Sequence, residues 1–308
     1  MHPILPEPHQ LDSDWRFAAD SVQVLSDLLI NTTPLLLGMP SVARRLESLQ
    51  RRVLLVDRQP LQQVTHHQRI DPSAAPPLAL EFPCAAMDPP WYLDTFFRWI
   101  SWAAQSIGIG GRIYCTLWPV DTRPAAQQER QALMAWLSRW SKASVVSDAL
   151  MYETPLFERN SAVDKHAISL RRGDLLVIDK QAPTELLPPP ATTCTWHRYC
   201  FGAYQLAVKL KLPPRAGDPL RTHPMANGWI WPSVSRRAPG IDDIDIWSSR
   251  NEVAICSRTD ELMNILDQPG INFESLKDQL AAGDLGGLLE WELGKIKFKE
   301  HIKWMHRA

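Results

Sequence analysis

Residues 34–57 read PLLLGMPSVARRLESLQRRVLLVD. The stretch opens on an apolar run, 35–37, that stops at Gly38, Met39 and Pro40. It closes on a second apolar run, 53–56, that ends in an acid, Asp57. Short continuous apolar runs bounded by turn residues are the pattern of strands buried on both faces. Between them, Ser41 is placed to cap a helix through the following SVARRLESLQ. Strand, helix and strand in this order make a short parallel crossover.

The same alternation continues outward. Upstream, Ser13 or Asp14 can cap a helix over 15–29. Downstream, 58–82 is polar and proline-rich, and its first strand signal is at 78–82. A small strand then runs from Cys84 into Asp88-Pro89-Pro90-Trp91-Tyr92. A helix is expected over 93–107, a strand over 111–117, a helix over 124–140 and strands over 143–150 and 173–179, with 156–159 and 166–170 as edge pieces. This specifies an α/β domain with a mostly parallel sheet over 10–185. Pro188 to Pro190 mark the boundary to a less regular C-terminal extension, 190–308, which caps the sheet edge or binds partners. In it, 196–211 is mixed, 213–251 loop-rich, 251–256 strand-like, and 261–266 and 273–289 helical.

Composition narrows the function. A net charge of −1 excludes a generally basic nucleic-acid coat, although not a local basic patch. No run of ~18 uncharged apolar residues is present, so no transmembrane helix is expected. The N-terminal residues lack a basic stretch followed by an apolar one, so no signal peptide is expected and a cytoplasmic location is. Five scattered cysteines fit reduced thiols. Cys194, His197 and Cys200 lack a Cys-x-x-Cys pair, so no metal is expected. Proline (26) outnumbers glycine (14), so the chain cannot rely on several glycine-rich phosphate cradles.

Asp88-Pro89-Pro90-Trp91 carries the chemistry. A conjugated amine must lose its lone-pair delocalisation before it can attack an electrophile. A carboxylate and a backbone carbonyl can accept its two hydrogens and re-hybridise the nitrogen. The prolines stiffen the turn and remove competing N–H donors. An aromatic ring can stack on a flat base. At the C-terminal end of a parallel strand, such a turn stands where these sheets bind ligands. A plain proline-rich turn between strand and helix accounts for the tetrapeptide equally well.

With its context, the motif resembles that of S-adenosylmethionine-dependent amino-methyltransferases, in the Asp-Pro-Pro-Trp form typical of N6-adenine enzymes. The resemblance implies a Rossmann-like methyltransferase fold over roughly half the chain, with S-adenosylmethionine as cofactor. It implies that Gly38 lets the cofactor approach, that Asp57 binds its ribose and that Ser41 is placed for its carboxylate. Asp88 and the Pro89 carbonyl would orient the amine, with Pro90 stiffening the turn and Trp91 or Tyr92 stacking on the acceptor. Arg123, after the strand at 111–117, is a candidate for substrate phosphate. Trp231, Arg236 and Arg237 combine an aromatic with paired cations, an arrangement suited to RNA, DNA or a nucleotide, or to a protein partner. The first loop departs from the family in having one glycine, followed by Met39 and Pro40. Two alternatives therefore stand: a catalytically inactive methyltransferase-like interaction subunit, and aminopropyl transfer to a polyamine. The second resembles the branched-chain polyamine synthases, whose acid-rich first loop is absent here.

Overall fold

The computed structural model describes residues 7–58, 64–161, 170–190, 196–201, 203–210, 222–224, 234–235, 237, 241–256 and 259–268. They form two compact units. One holds 15–153 and 170–190; the other holds 7–14, 154–161 and the described residues from 196 onward. The sequence expectation of two unbroken stretches, 10–185 and 190–308, differs from this interleaving.

The first unit contains α1 (Ala19–Leu29), β1 (Leu35–Leu37), α2 (Pro40–Ser48), β2 (Leu54–Asp57), β3 (His67–Arg69), β4 (Phe82–Met87), α3 (Leu93–Gln105), β5 (Ile107–Leu117), α4 (Ala126–Leu137), β6 (Ser141–Glu153) and β7 (Leu170–Lys180). Its seven strands lie in the order β3-β2-β1-β4-β5-β7-β6. The first five run parallel, and β7 runs antiparallel to both of its neighbours. This is a Rossmann-like α/β fold with a mostly parallel sheet. Strand periodicity sorts its core: Leu35 and Leu37 pack with α3 and α4 on one face, while Leu36 packs with α1 and α2 on the other. Both faces are covered, which is why these strands read as unbroken apolar runs.

Several local expectations change. Helix α1 begins at Ala19 after an extended Ala18, not after Ser13 or Asp14. The preceding residues pair with β6 instead, through Ala18 N–H to Met151 O (2.9 Å) and Glu153 N–H to Arg16 O (2.8 Å). Helix α2 has Met39 as its N-cap and Pro40 in its first turn, so Ser41 lies inside the helix rather than capping it; proline suits a first-turn position that needs no N–H donor. His67, in a stretch with no strand signal, belongs to β3. The edge piece expected at 156–159 is helical, α5 (Leu156–Ser161), and belongs to the second unit.

That second unit is more regular than its sequence implies. It carries β8 (Trp196–Phe201), β9 (Tyr204–Lys209), β10 (Thr222–Pro224), β11 (Ile246–Ser248), β12 (Val253–Cys256) and α6 (Thr259–Leu266). The five strands form an antiparallel sheet in the order β10-β12-β11-β9-β8. Residues near the N-terminus are tied to it: His9 Nε2 bonds Trp247 O (3.0 Å), Gln10 Nε2 donates to Ser248 O (2.8 Å) and Asp12 pairs with Arg198. The expected helix at 273–289 lies outside the described residues. Among the described residues, no helix is long and apolar enough to cross a membrane, and no group of His, Cys, Asp and Glu is placed to hold a metal.

Candidate active site

In the sheet order, β1 stands between β2 and β4, and the helices that follow β1 and β4 cover opposite faces of the sheet. Such a switch point opens a crevice at the C-terminal strand ends. There the ladder extends one residue past the strands: Gly38 N–H donates to Val56 O (3.0 Å) and Asp88 N–H donates to Leu37 O (3.1 Å). Asp57 ends β2, Gly38 follows β1 and Asp88 follows β4, so the three stand side by side. Asp57, Gly38 and Asp88 are all half-buried.

Gly38 has φ +66°, a left-handed conformation that glycine adopts without penalty. A Cβ at Gly38 would stand 3.2 Å from the Asp88 carbonyl and 3.2 Å from the Trp99 ring edge. The space beside this glycine is therefore filled by protein. Glycine at this position lets the β1 and β4 turns and the Trp99 ring come close together. Trp99 is itself fixed, its Nε1 donating to Ser73 Oγ (2.9 Å). Its neighbour Arg98 is buried and donates to the carbonyls of Pro72 (2.9 Å), Ala75 (2.6 Å) and Leu187 (2.8 Å). Arg98 and Trp99 together anchor the segment after β3, on the same side as Asp57 and Gly38.

The start of α2 fits an anionic group. No side chain caps it and its first turn holds no acid. Its unpaired N–H groups and the positive end of the helix dipole are suited to a carboxylate. Ser41 lies in that first turn. With Asp57 one strand away, these residues fit the carboxylate and ribose of S-adenosylmethionine.

The β4–α3 turn is built differently. Pro89 is buried, while Pro90, Trp91 and Tyr92 are half-buried. Tyr92 N–H donates to Pro90 O (2.6 Å), closing the turn. One carboxylate oxygen of Asp88, Oδ1, accepts from Thr116 Oγ1 of β5 (2.5 Å) and from the Tyr152 hydroxyl of β6 (3.0 Å). The Trp91 ring meets Tyr152 edge-on at 5.6 Å, and Phe17 stacks on Tyr152 at 4.8 Å. Burial pushes the Tyr152 phenol well above its ordinary pKa, and the charge of Asp88 adds to the rise. Tyr152 is thus a neutral hydrogen-bond donor throughout the physiological range.

The sequence singled out neither hydroxyl. Thr116 falls within the expected strand at 111–117, but its partner across the sheet was not readable. Tyr152 lies beyond the expected strand end at 150, past a register shift in β6 between Val146 and Leu150.

The remaining candidates stand apart. Arg123 is paired with Glu129 (2.9 and 2.5 Å) and lies over the buried Trp118 ring at 4.8 Å. Its charge is balanced by Glu129 in the first turn of α4. Trp231 and Arg236 lie outside the described residues. Arg237 is exposed and belongs to the second unit, where its N–H donates to Ser235 Oγ (3.2 Å).

No protein-family model matches the chain, and no curated protein sequence matches it. Solved structures do. The branched-chain polyamine synthase of Thermus thermophilus, in complex with N4-aminopropylspermidine and 5'-methylthioadenosine, aligns with a TM-score of 0.51 at 15% identity, over 61% of this chain and 64% of that one. Its C9 mutein aligns with a TM-score of 0.51 at 14% identity, over 61% and 64%. A Pyrococcus horikoshii protein described as a putative RNA methyltransferase aligns at 11% identity over 57% of this chain and 92% of its own, with a TM-score of 0.40. At these identities the synthases share the fold, and the last likeness is too loose to add to the argument. The chain spans 64% of the synthases' length, under two thirds.

Proposed function

We propose that this chain transfers a methyl group from S-adenosylmethionine to an exocyclic amino nitrogen, with adenine N6 in a nucleic acid or nucleotide as the leading acceptor. The observation that carries the reading is Asp88, held at the switch point by two hydroxyls and directly beside the β1 turn. When bound, S-adenosylmethionine supplies an electrophilic methyl group on a sulfonium. Asp57 binds the ribose hydroxyls, and the start of α2 with Ser41 holds the carboxylate. Asp88 accepts one hydrogen of the acceptor amine and the Pro89 carbonyl the other. That pairing draws the nitrogen lone pair out of conjugation and aims it. Trp91 and Tyr92 flank the acceptor and exclude water. Catalysis here is positioning.

Aminopropyl transfer is the second reading, favoured by the fold likeness to the polyamine synthases. Its donor is decarboxylated S-adenosylmethionine, which lacks the carboxylate that the acid-free start of α2 suits. This electrostatic match favours the methyl donor. Calorimetric titration of the full chain with each donor tests the choice. Binding of S-adenosylmethionine that weakens at least tenfold in Asp57→Ala is expected. No binding at millimolar concentration points to an interaction subunit, and tighter binding of the decarboxylated form points to aminopropyl transfer.

A further inference from the structure

Three strands converge on one carboxylate oxygen. Thr116, fully buried on β5, and Tyr152, 1% exposed on β6, both donate to Asp88 Oδ1. Neither hydroxyl is needed to fill space. Valine has the shape of threonine, and phenylalanine would keep the stack on Phe17 and the edge contact with Trp91. Each buried hydroxyl carries a desolvation cost that only a hydrogen bond offsets.

The surroundings of Tyr152 are shaped to deliver its hydroxyl. Gly173 on β7 has no side chain where the ring passes: a Cβ there would stand 2.8 Å from Tyr152 Cε2. The β6 register shift beside it contains Asp148 at φ +51°. Asp148 N–H is held by Asp174 Oδ1 (2.9 Å), and Asp174 Oδ2 is held by Arg130 (2.6 Å). Phe17 bridges the Tyr152 backbone from the other side. The ring is confined, and its one polar atom is aimed at Asp88.

We propose that Thr116 and Tyr152 are positioning residues that lock the Asp88 carboxylate in the orientation that receives the acceptor amine, with Gly173 making room for the tyrosine. The proposal rests on Asp88 being the amine acceptor. The two hydroxyls act through Asp88 and touch neither donor nor acceptor. They also keep Asp88 a fixed hydrogen-bond acceptor, because a neutral phenol and a neutral hydroxyl can give it hydrogen bonds without taking its charge.

The test compares the full chain with Thr116→Val, Tyr152→Phe, Asp88→Ala and Asp88→Ala/Tyr152→Phe, using S-adenosylmethionine and an adenine-containing RNA. Each hydroxyl deletion is expected to lower kcat by about 10- to 100-fold, the scale of a lost hydrogen bond to a charged group. KM for the methyl donor should stay at the parent value. In the Asp88→Ala background, Tyr152→Phe should remove nothing further. An undiminished kcat, or an equal further loss without Asp88, overturns the proposal. Crystal structures of the single variants supply a readout independent of activity. The Asp88 carboxylate is expected to turn from its parent rotamer; a carboxylate that stays in place also overturns the proposal. If the parent protein transfers no methyl group, the proposed function fails, and the rotamer alone then decides whether the hydroxyls lock Asp88.

Discussion

The β1–α2 turn and the β4–α3 turn lie beside each other at the C-terminal ends of the parallel strands, and they are held by different forces. At Gly38 the determinants are steric: a left-handed backbone and a missing side chain, filled by the Asp88 carbonyl and the Trp99 rim. At Asp88 they are polar: two buried hydroxyls on one carboxylate oxygen. The difference teaches how the halves of a transfer site can be tuned apart. Apart from Asp57, the proposed donor half depends on backbone shape and a helix start, so it resists volume change at Gly38 most strongly. The acceptor half depends on hydrogen bonds, so it tolerates little chemical change at fixed shape.

Gly38→Ala should have the largest structural effect, because its Cβ meets the Asp88 carbonyl and the Trp99 ring. A non-glycine residue in this conformation costs about 1–2 kcal/mol, and the crowding at Trp99 adds to it. Denaturant unfolding should show the loss, and donor binding and methyl transfer should fall together. Unchanged transfer would break the claim that the turns touch through this glycine.

Gly173→Ala should act on one turn alone. The added Cβ displaces the Tyr152 ring, at about 1–2 kcal/mol in the range of overpacked cores. Steady-state kinetics should show kcat falling while donor affinity by calorimetry holds. Weaker donor binding would mean that the halves are not separable.

Glu252→Gln changes a buried carboxyl of the second unit. Burial raises the Glu252 carboxyl above its ordinary pKa, against hydrogen bonds from Ser248 and Tyr204 that lower it. A raised carboxyl stabilises the fold fully below its unfolded pKa, and that stability is lost as pH rises through the folded pKa. Glutamine escapes this loss while keeping an oxygen acceptor. Thermal melts should therefore coincide near pH 4 and favour the variant near pH 7. Methyl transfer should be unchanged at both.

The sequence makes the donor half more legible than the acceptor half. Leu35 to Asp57 reads as strand, helix and strand because strands covered on both faces are continuously apolar, and Asp57 breaks the run where β2 ends. Asp88 is legible through the Asp-Pro-Pro-Trp motif that it opens. What holds Asp88 was not. Tyr152 reaches it only because β6 continues past a bulge, and a register shift leaves no periodic trace. His67 to Arg69 form a strand with no apolar pattern, because β3 is an edge strand paired with β2 alone. The antiparallel sheet was also hidden. Strand β9 is buried throughout, including Lys209, whose charge is absorbed by the carbonyls of Ile241 (3.2 Å) and Asp242 (2.7 Å). A lysine in a buried strand reads as a loop until its distant acceptors are known.

The most direct test of the central claim is labelled-methyl transfer from S-adenosylmethionine to an adenine-containing RNA, by the parent chain and by Asp88→Ala, with donor binding measured on both. The account predicts a rate lower by about a thousandfold in the variant, of the order seen when a charge-positioning group is removed, with donor affinity intact. Transfer that survives Asp88→Ala at the parent rate would contradict it.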